Sequence, residues 1–180
     1  MSTRNRVAAI GLALALGVAV PALADSPNLG KPIPESDVKN WDISVLPDGS
    51  NLPAGKGTPA QGAAIYADKC VTCHGEGGKG GTSPGAGPLI GGQPLTDGID
   101  TPKTIANYYA YPTTIFDWIK RAMPYTSPRS LSDDEVYALV AYILALNKLI
   151  GENDTMDAKS LPQVKMPNRD NFIMPYPDRI

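Results

Sequence analysis

Both cysteines and the single histidine of this 180-residue chain fall in one pentapeptide, Cys70-Val71-Thr72-Cys73-His74. Nothing else in the sequence restricts the fold so tightly, because few chemistries use two thiols three residues apart with an imidazole beside the second. A thioredoxin-like redox pair needs the motif at a helix N-terminus after a strand; here helical sequence precedes it and a Gly-rich stretch follows. A zinc site needs four ligands, and no other Cys or His exists to complete one. A disulfide across two intervening residues is strained and gives His74 no role. Covalent haem attachment uses all three residues: each thiol adds to one porphyrin vinyl group, and the imidazole of the same turn reaches the iron. One motif predicts one haem c, held by Cys70 and Cys73 with His74 as an axial metal ligand.

The second axial ligand lies elsewhere. With one histidine, two-histidine ligation within the chain is excluded, and a methionine thioether is the next natural donor. Beyond Met1 the candidates are Met123, Met156, Met166 and Met174. Met123 ends a segment whose Ile115, Phe116, Trp118, Ile119 and Ala122 form a helical apolar stripe, and Pro124 stops that helix, so the thioether sits on a constrained turn. Met166, in Lys165-Met166-Pro167, is the runner-up. Trp118 reads as core beside the haem. Arg121 and Arg129 are propionate partners that the sequence does not rank. Lys79, in Glu76-Gly77-Gly78-Lys79-Gly80-Gly81, shares only its glycines with a phosphate loop, since no strand precedes it and no Ser or Thr follows the lysine.

Around this site the chain divides by composition. Residues 1–24 carry Arg4 and Arg6, an apolar stretch from Val7 to Val20 and the ending Ala22-Leu23-Ala24, which is a cleavable signal peptide. That stretch is shorter than the roughly 20 residues a membrane span needs, so no membrane span is expected and the periplasm is the expected location. Cleavage removes two arginines, leaving fourteen basic against eighteen acidic residues, a charge of −4. With a pI near 5.3, that excludes the broad positive field non-specific nucleic-acid binding requires. Residues 25–58, broken by five prolines, form an N-terminal arm in which Trp41, Ile43, Val45 and Leu46 lie against the domain. A cytochrome-sized domain occupies 59–150, and 151–180 form a C-terminal arm. Both arms read as too polar and proline-broken to build core.

Within 59–150 helices are expected from Pro59 to Lys69, from Thr101 to Tyr111, from Thr113 to Arg121, and from a capping box of Ser132 and Glu135 through Leu146. Asp133, Asp134 and Glu135 are helix-start acids first and a docking patch second. Residues 75–98, with ten glycines and three prolines, must be loop. No strand pattern of useful length is visible.

The motif set of Gly62 and Tyr66, Cys70-Val71-Thr72-Cys73-His74-Gly75, Gly87-Pro88-Leu89 and Ala122-Met123-Pro124, closed by a C-terminal helix, resembles the class I monohaem cytochromes c. The resemblance implies an all-α class I cytochrome c fold with irregular N- and C-terminal extensions. It also implies a Gly62–Tyr142 contact where the first and last helices cross, and a Pro88 carbonyl that accepts the Nδ1 proton of His74. A narrower resemblance rests on Tyr111-Pro112-Thr113-Thr114-Ile115-Phe116-Asp117, Arg121-Ala122-Met123-Pro124-Tyr125, the segment from Leu131 to Leu139, and Lys165-Met166-Pro167-Asn168-Arg169-Asp170. These are similar to the cytochrome subunits of sulfane (SoxD-type) and sulfite dehydrogenases. That likeness implies electrons arriving from a molybdenum-containing sulfur-compound dehydrogenase subunit and leaving to a downstream cytochrome or oxidase. Longer SoxD proteins carry a second haem domain, whereas this chain has one attachment motif.

The expected function is therefore one-electron transfer without catalysis by this chain itself. A general shuttle for another periplasmic dehydrogenase is the alternative. A haem enzyme or gas binder is a weaker one, since it needs an open iron position and distal acid or base groups while the only histidine is spent on the proximal side.

Overall fold

The computed structural model describes residues 29–172 apart from 40, 82, 93 and 96–99. The expected signal peptide and, in the C-terminal arm, everything beyond Phe172, Met174 included, lie outside the described residues. In chain order the elements are α1 (Glu35–Lys39), β1 (Lys56–Gly57), α2 (Pro59–Lys69), α3 (Val71–His74), α4 (Ile105–Tyr108), α5 (Pro112–Ala122), α6 (Asp133–Leu146) and β2 (Met156–Asp157), with short 3-10 turns at Glu76–Gly78, Leu161–Gln163 and Arg169–Asn171. The chain divides into a unit ending at Trp41 and a unit from Asp42 onward. The first contains α1, and its Leu29, Ile33, Val38 and Trp41 are exposed; the rest of the account concerns the second.

Helix α6 is apolar almost all round, with Val136 to Ala141, Ile143 and Leu144 all buried, because it is covered on every side. It packs most extensively on α2, then on β1, α5 and β2. Phe116 from α5 meets Tyr137 with ring centroids 4.6 Å apart. The α2 crossing is closed by a residue without a side chain: a Cβ at Gly62 would lie 1.9 Å from the Ala138 carbonyl oxygen and 2.7 Å from Tyr142 Cβ. Next to it the rings of Tyr66 and Tyr142 stand 5.2 Å apart.

Both ends of the domain are laced down by segments the sequence leaves irregular. Val45 N–H donates to Asp117 Oδ1 at 3.0 Å, Thr113 Oγ1 to the Pro47 carbonyl at 3.2 Å, and Tyr137 OH to the Pro53 carbonyl at 2.9 Å. Lys56 N–H donates to Asp134 Oδ1 at 2.8 Å, and β1 then pairs antiparallel with β2, Gly57 opposite Met156. The pairing is two residues long, too short to leave a period in the sequence.

The C-terminal segment departs from expectation, since Met156, Leu161 and Met166 are part of the central core. Its proline-broken backbone hides apolar anchors spaced five residues apart, which no regular period reveals. Beyond them Asn168 Nδ2 donates to the Tyr108 carbonyl at 2.8 Å, and the Arg169 guanidinium lies 3.9 Å from the Tyr111 ring centroid. In the N-terminal arm Val45 packs on the core as expected. The helix expected from Thr101 to Tyr111 is shorter: Thr104 caps α4 at its start, and the backbone is already extended at Tyr109 and at Tyr111 before Pro112.

The capping box is present as read. Glu135 N–H donates to Ser132 Oγ at 3.3 Å, and Ser132 N–H returns the bond to Glu135 Oε2 at 2.8 Å. These bonds hold Glu135 below the usual carboxylate range. Its folded pKa is depressed, so this contribution to stability is present above the unfolded carboxylate value near 4.3 and is lost as pH falls through the folded one. Ser132→Ala should cost about 1 kcal/mol near neutrality, read from the denaturation midpoint, with the deficit shrinking in acid. A deficit that stays constant down to pH 2 would contradict this pairing.

Candidate haem site

Helix α2 ends at Lys69, the backbone breaks at Cys70, and the chain re-enters a single helical turn in α3. Cys73 N–H and His74 N–H both donate to the Cys70 carbonyl, at 3.1 and 2.9 Å. Residues three and four apart on a helical turn share a face, so this turn presents both thiols and the imidazole on one side. Neither cysteine is in a disulfide; Cys70 is half-buried and Cys73 exposed.

The loop that follows folds back under this turn. A Cβ at Gly81 would lie 1.5 Å from the Cys73 carbonyl oxygen, so only glycine permits the approach. Tyr66 OH donates to the Gly75 carbonyl at 2.9 Å, tying the residue after His74 to α2. That phenol is nearly fully enclosed, and desolvation raises its pKa to about 12.

The carbonyl that faces the imidazole is not the expected one. His74 Nδ1 is 3.4 Å from the Gly87 carbonyl oxygen, one residue before Pro88. Pro88 is half-buried and acts as the rigid link between Gly87 and Leu89, its ring fixing φ. Leu89 N–H then donates to the Gly78 carbonyl at 2.7 Å.

Met123 caps the C-terminus of α5, donating its N–H to the Ile119 carbonyl at 3.1 Å, and takes the extended conformation that a following proline imposes. It is half-buried against the core. A sulfur that can ligate iron must face something other than protein, and this separates the candidates. Met166 is 1% exposed and Met156 5% exposed, both enclosed by core side chains. Trp118, expected in the core, is 54% exposed. It falls outside the arc that Pro112, Thr113, Ile115, Phe116 and Ile119 bury, on the face of α5 that protein leaves uncovered. Arg121 is ion-paired with Asp117, while Arg129 is exposed.

Two contributors carry no signal as site residues in the sequence. Lys120 Nζ lies 2.5 Å from Asp133 Oδ1 and 3.5 Å from the Leu131 carbonyl, so the last turn of α5 is clamped to the start of α6 and the Met123 loop is closed between them. Asn147, directly after α6, donates from Nδ2 to the Leu89 carbonyl at 3.1 Å and accepts from Gly91 N–H at 3.0 Å through Oδ1. An Asn just past the last apolar residue of a helix was legible as a cap, but not as a loop anchor.

These residues fit a covalently attached haem. The two cysteines are on one turn with an imidazole and not in a disulfide, a half-buried methionine stands at a fixed helix end, and Cys70, Val71, Leu89, Tyr109 and Met123 are among the partly buried residues packed on the core. An open cleft of about 620 Å³ between β1, α2 and α6 is lined by Lys56, Thr58, Gln61, Asp134 and Glu135, and none of the haem-site residues contributes to it. No helix among the described residues is long and apolar enough to cross a membrane.

The sequence model of the family described as Cytochrome c matches residues 59–147. The chain is also similar to a chain in the crystal structure of the sulfane dehydrogenase SoxCD from Paracoccus pantotrophus. The two are 36% identical over 86% of this chain and 73% of that one, with a TM-score of 0.71. The two cysteines and the imidazole on one turn, the helical fold and both likenesses agree: the chain belongs to the cytochrome c family, electron-transfer proteins with covalently attached haem c, and its single attachment motif gives it one haem.

Proposed function

We propose that the protein is a periplasmic one-electron carrier that accepts electrons from a molybdenum-containing sulfur-compound dehydrogenase subunit and passes them to a downstream cytochrome or oxidase. The observation that carries this reading is that His74 lies on the attachment turn while Met123 is only half-buried, unlike Met156 and Met166, which the core encloses. Haem c, when bound, supplies a one-electron couple whose potential thioether ligation raises. Cys70 and Cys73 would anchor the group, His74 and Met123 would supply its iron ligands, and the Gly87 carbonyl would orient the imidazole. With both ligands supplied by the protein, substrate would have no place at the metal. The chain then serves electron transfer alone.

The sulfur-compound role is supported by the extent of the likeness to the SoxCD chain, which covers 86% of this chain and so reaches well beyond the residues 59–147 common to the family. Oxidation of sulfite or a sulfane sulfur releases two electrons, and one haem takes up one. The two-electron chemistry therefore belongs to the partner. Mixed with sulfite or thiosulfate and an artificial acceptor, the purified protein should show no turnover, while addition of a molybdenum-containing sulfur dehydrogenase should reduce it rapidly. Sustained turnover by the cytochrome alone at about 1 per second or more would overturn the carrier reading. Failure of that dehydrogenase, but not of another, to reduce it would overturn the sulfur assignment alone.

A further inference from the structure

Asn147 lies at the end of α6 and outside the attachment motif, yet its carboxamide grips the loop whose carbonyl faces the haem-site imidazole. Nδ2 donates to the Leu89 carbonyl at 3.1 Å and also to the Ile143 carbonyl at 2.9 Å, while Oδ1 accepts from Gly91 N–H at 3.0 Å. One amide thus reads a C=O and an N–H two residues apart, as a neighbouring strand would. Leu89 is held from the other side as well, its N–H on the Gly78 carbonyl at 2.7 Å. Gly91 is held a second time, its carbonyl accepting from Thr104 Oγ1. Between Leu89 and the Gly87 carbonyl there is only Pro88, whose ring removes the φ freedom that would let the two move independently. Holding Leu89 therefore leaves only Pro88 ψ between the pinned peptide and the Gly87 carbonyl, which stands 3.4 Å from His74 Nδ1.

We infer that Asn147 is a positioning residue for the axial imidazole: through Leu89 and Pro88 it sets the hydrogen bond between Gly87 and His74, and with it the electron-donating strength of the ligand. The inference rests on His74 being the axial ligand proposed above. The physical link is that a hydrogen bond from Nδ1–H to a carbonyl makes the imidazole a stronger donor, which favours the oxidised metal and lowers the potential. Releasing the carbonyl should weaken that bond and raise the potential. A cap that only stabilises α6 would change folding free energy and leave both properties alone.

The test uses the holoprotein. Asn147→Leu removes both loop bonds. Asn147→Asp keeps the acceptor for Gly91 N–H and loses the donor to the Leu89 carbonyl. Ser132→Ala, at the opposite end of the same helix, is the control for stability loss without loop release. The readouts are the reduction potential, the exchange rate of the His74 Nδ1 proton by NMR, and the denaturation midpoint. Asn147→Leu should raise the potential and speed Nδ1 exchange about tenfold, equivalent to about 1.4 kcal/mol of lost protection. Asn147→Asp should fall between it and the parent, and Ser132→Ala should move the midpoint alone. If both Asn147 variants lower only the midpoint and match Ser132→Ala in potential and exchange, Asn147 is a helix cap and the inference is wrong. Failure of the underlying reading looks different: the unmodified protein itself would then lack a His74 ring shifted by the metal.

Discussion

Met123→Ala is expected to abolish the weak near-infrared absorption of sulfur-to-iron ligation in the ferric protein and to lower its reduction potential, while leaving the haem covalently attached through Cys70 and Cys73. The expectation follows from where the sulfurs are. Met123 sits half-buried at the end of α5, its backbone fixed by the bond to Ile119 and by Pro124, and the loop behind it is closed by Lys120 on Asp133. Met166 and Met156 are wholly enclosed, so their truncation is a core deletion. Met166→Ala should cost about 2–5 kcal/mol of stability and keep the near-infrared band. Met123→Ala should show the opposite pattern, with the band lost and a smaller stability change because its site is partly open. Loss of the band in Met166→Ala and its retention in Met123→Ala would move the ligand to the C-terminal segment and require that segment to repack around the metal.

The parts of this molecule that the sequence discloses are those fixed by local chemistry. The attachment turn needs its three residues consecutively spaced, so Cys70, Cys73 and His74 are readable before any fold is known. The capping box of Ser132 and Glu135 is equally local, and so is the helix stop at Pro124 that singles out Met123. What escapes is set by long-range backbone contact. The carbonyl opposite His74 is assigned to Pro88 by resemblance and found on Gly87, because which oxygen turns inward depends on how the Gly-rich loop is pinned at Leu89 and Gly91, and those pins come from Asn147 and Thr104 far along the chain. A helical stripe gives a face without its width: only the packing of the protein decides that Ile119 is enclosed by it while Trp118, beside it in sequence, is not. Met156, Leu161 and Met166 escape for a related reason: single apolar anchors in an irregular segment have no period to betray them, although together they complete the core.

Gly62→Val should be the most damaging single substitution on α2, preventing stable assembly of the domain. Two effects oppose each other at this position. Replacing a helix-interior glycine gains up to about 1 kcal/mol of helix propensity with alanine and somewhat less with valine. Against that, the first side-chain atom would stand 1.9 Å from the Ala138 carbonyl oxygen and 2.6 Å from its carbon, both backbone atoms inside α6 that no rotamer change can move. Relief requires α2 and α6 to separate, which opens the most extensive helix contact in the fold, parts the Tyr66 and Tyr142 rings, and draws Tyr66 OH away from the Gly75 carbonyl beside His74. Overpacking of this kind costs about 1–3 kcal/mol even where side chains can yield, and more where backbone must. The steric term therefore wins already for Gly62→Ala, expected to lose about 2 kcal/mol or more, and Gly62→Val should exceed the margin of a domain stable by about 5–15 kcal/mol once the Tyr66 contacts go with it. Ala60→Val, on the exposed side of the same helix, carries the same β-branched penalty without the clash and should fall by less than about 1 kcal/mol. Denaturant midpoints of the holoproteins, together with the yield of covalently attached haem, read the difference. Equal midpoints for Gly62→Ala and the parent would mean that the helices do not cross at Gly62 as closely as 1.9 Å implies, and the placement of Gly75 and His74 by Tyr66 would have to be derived anew.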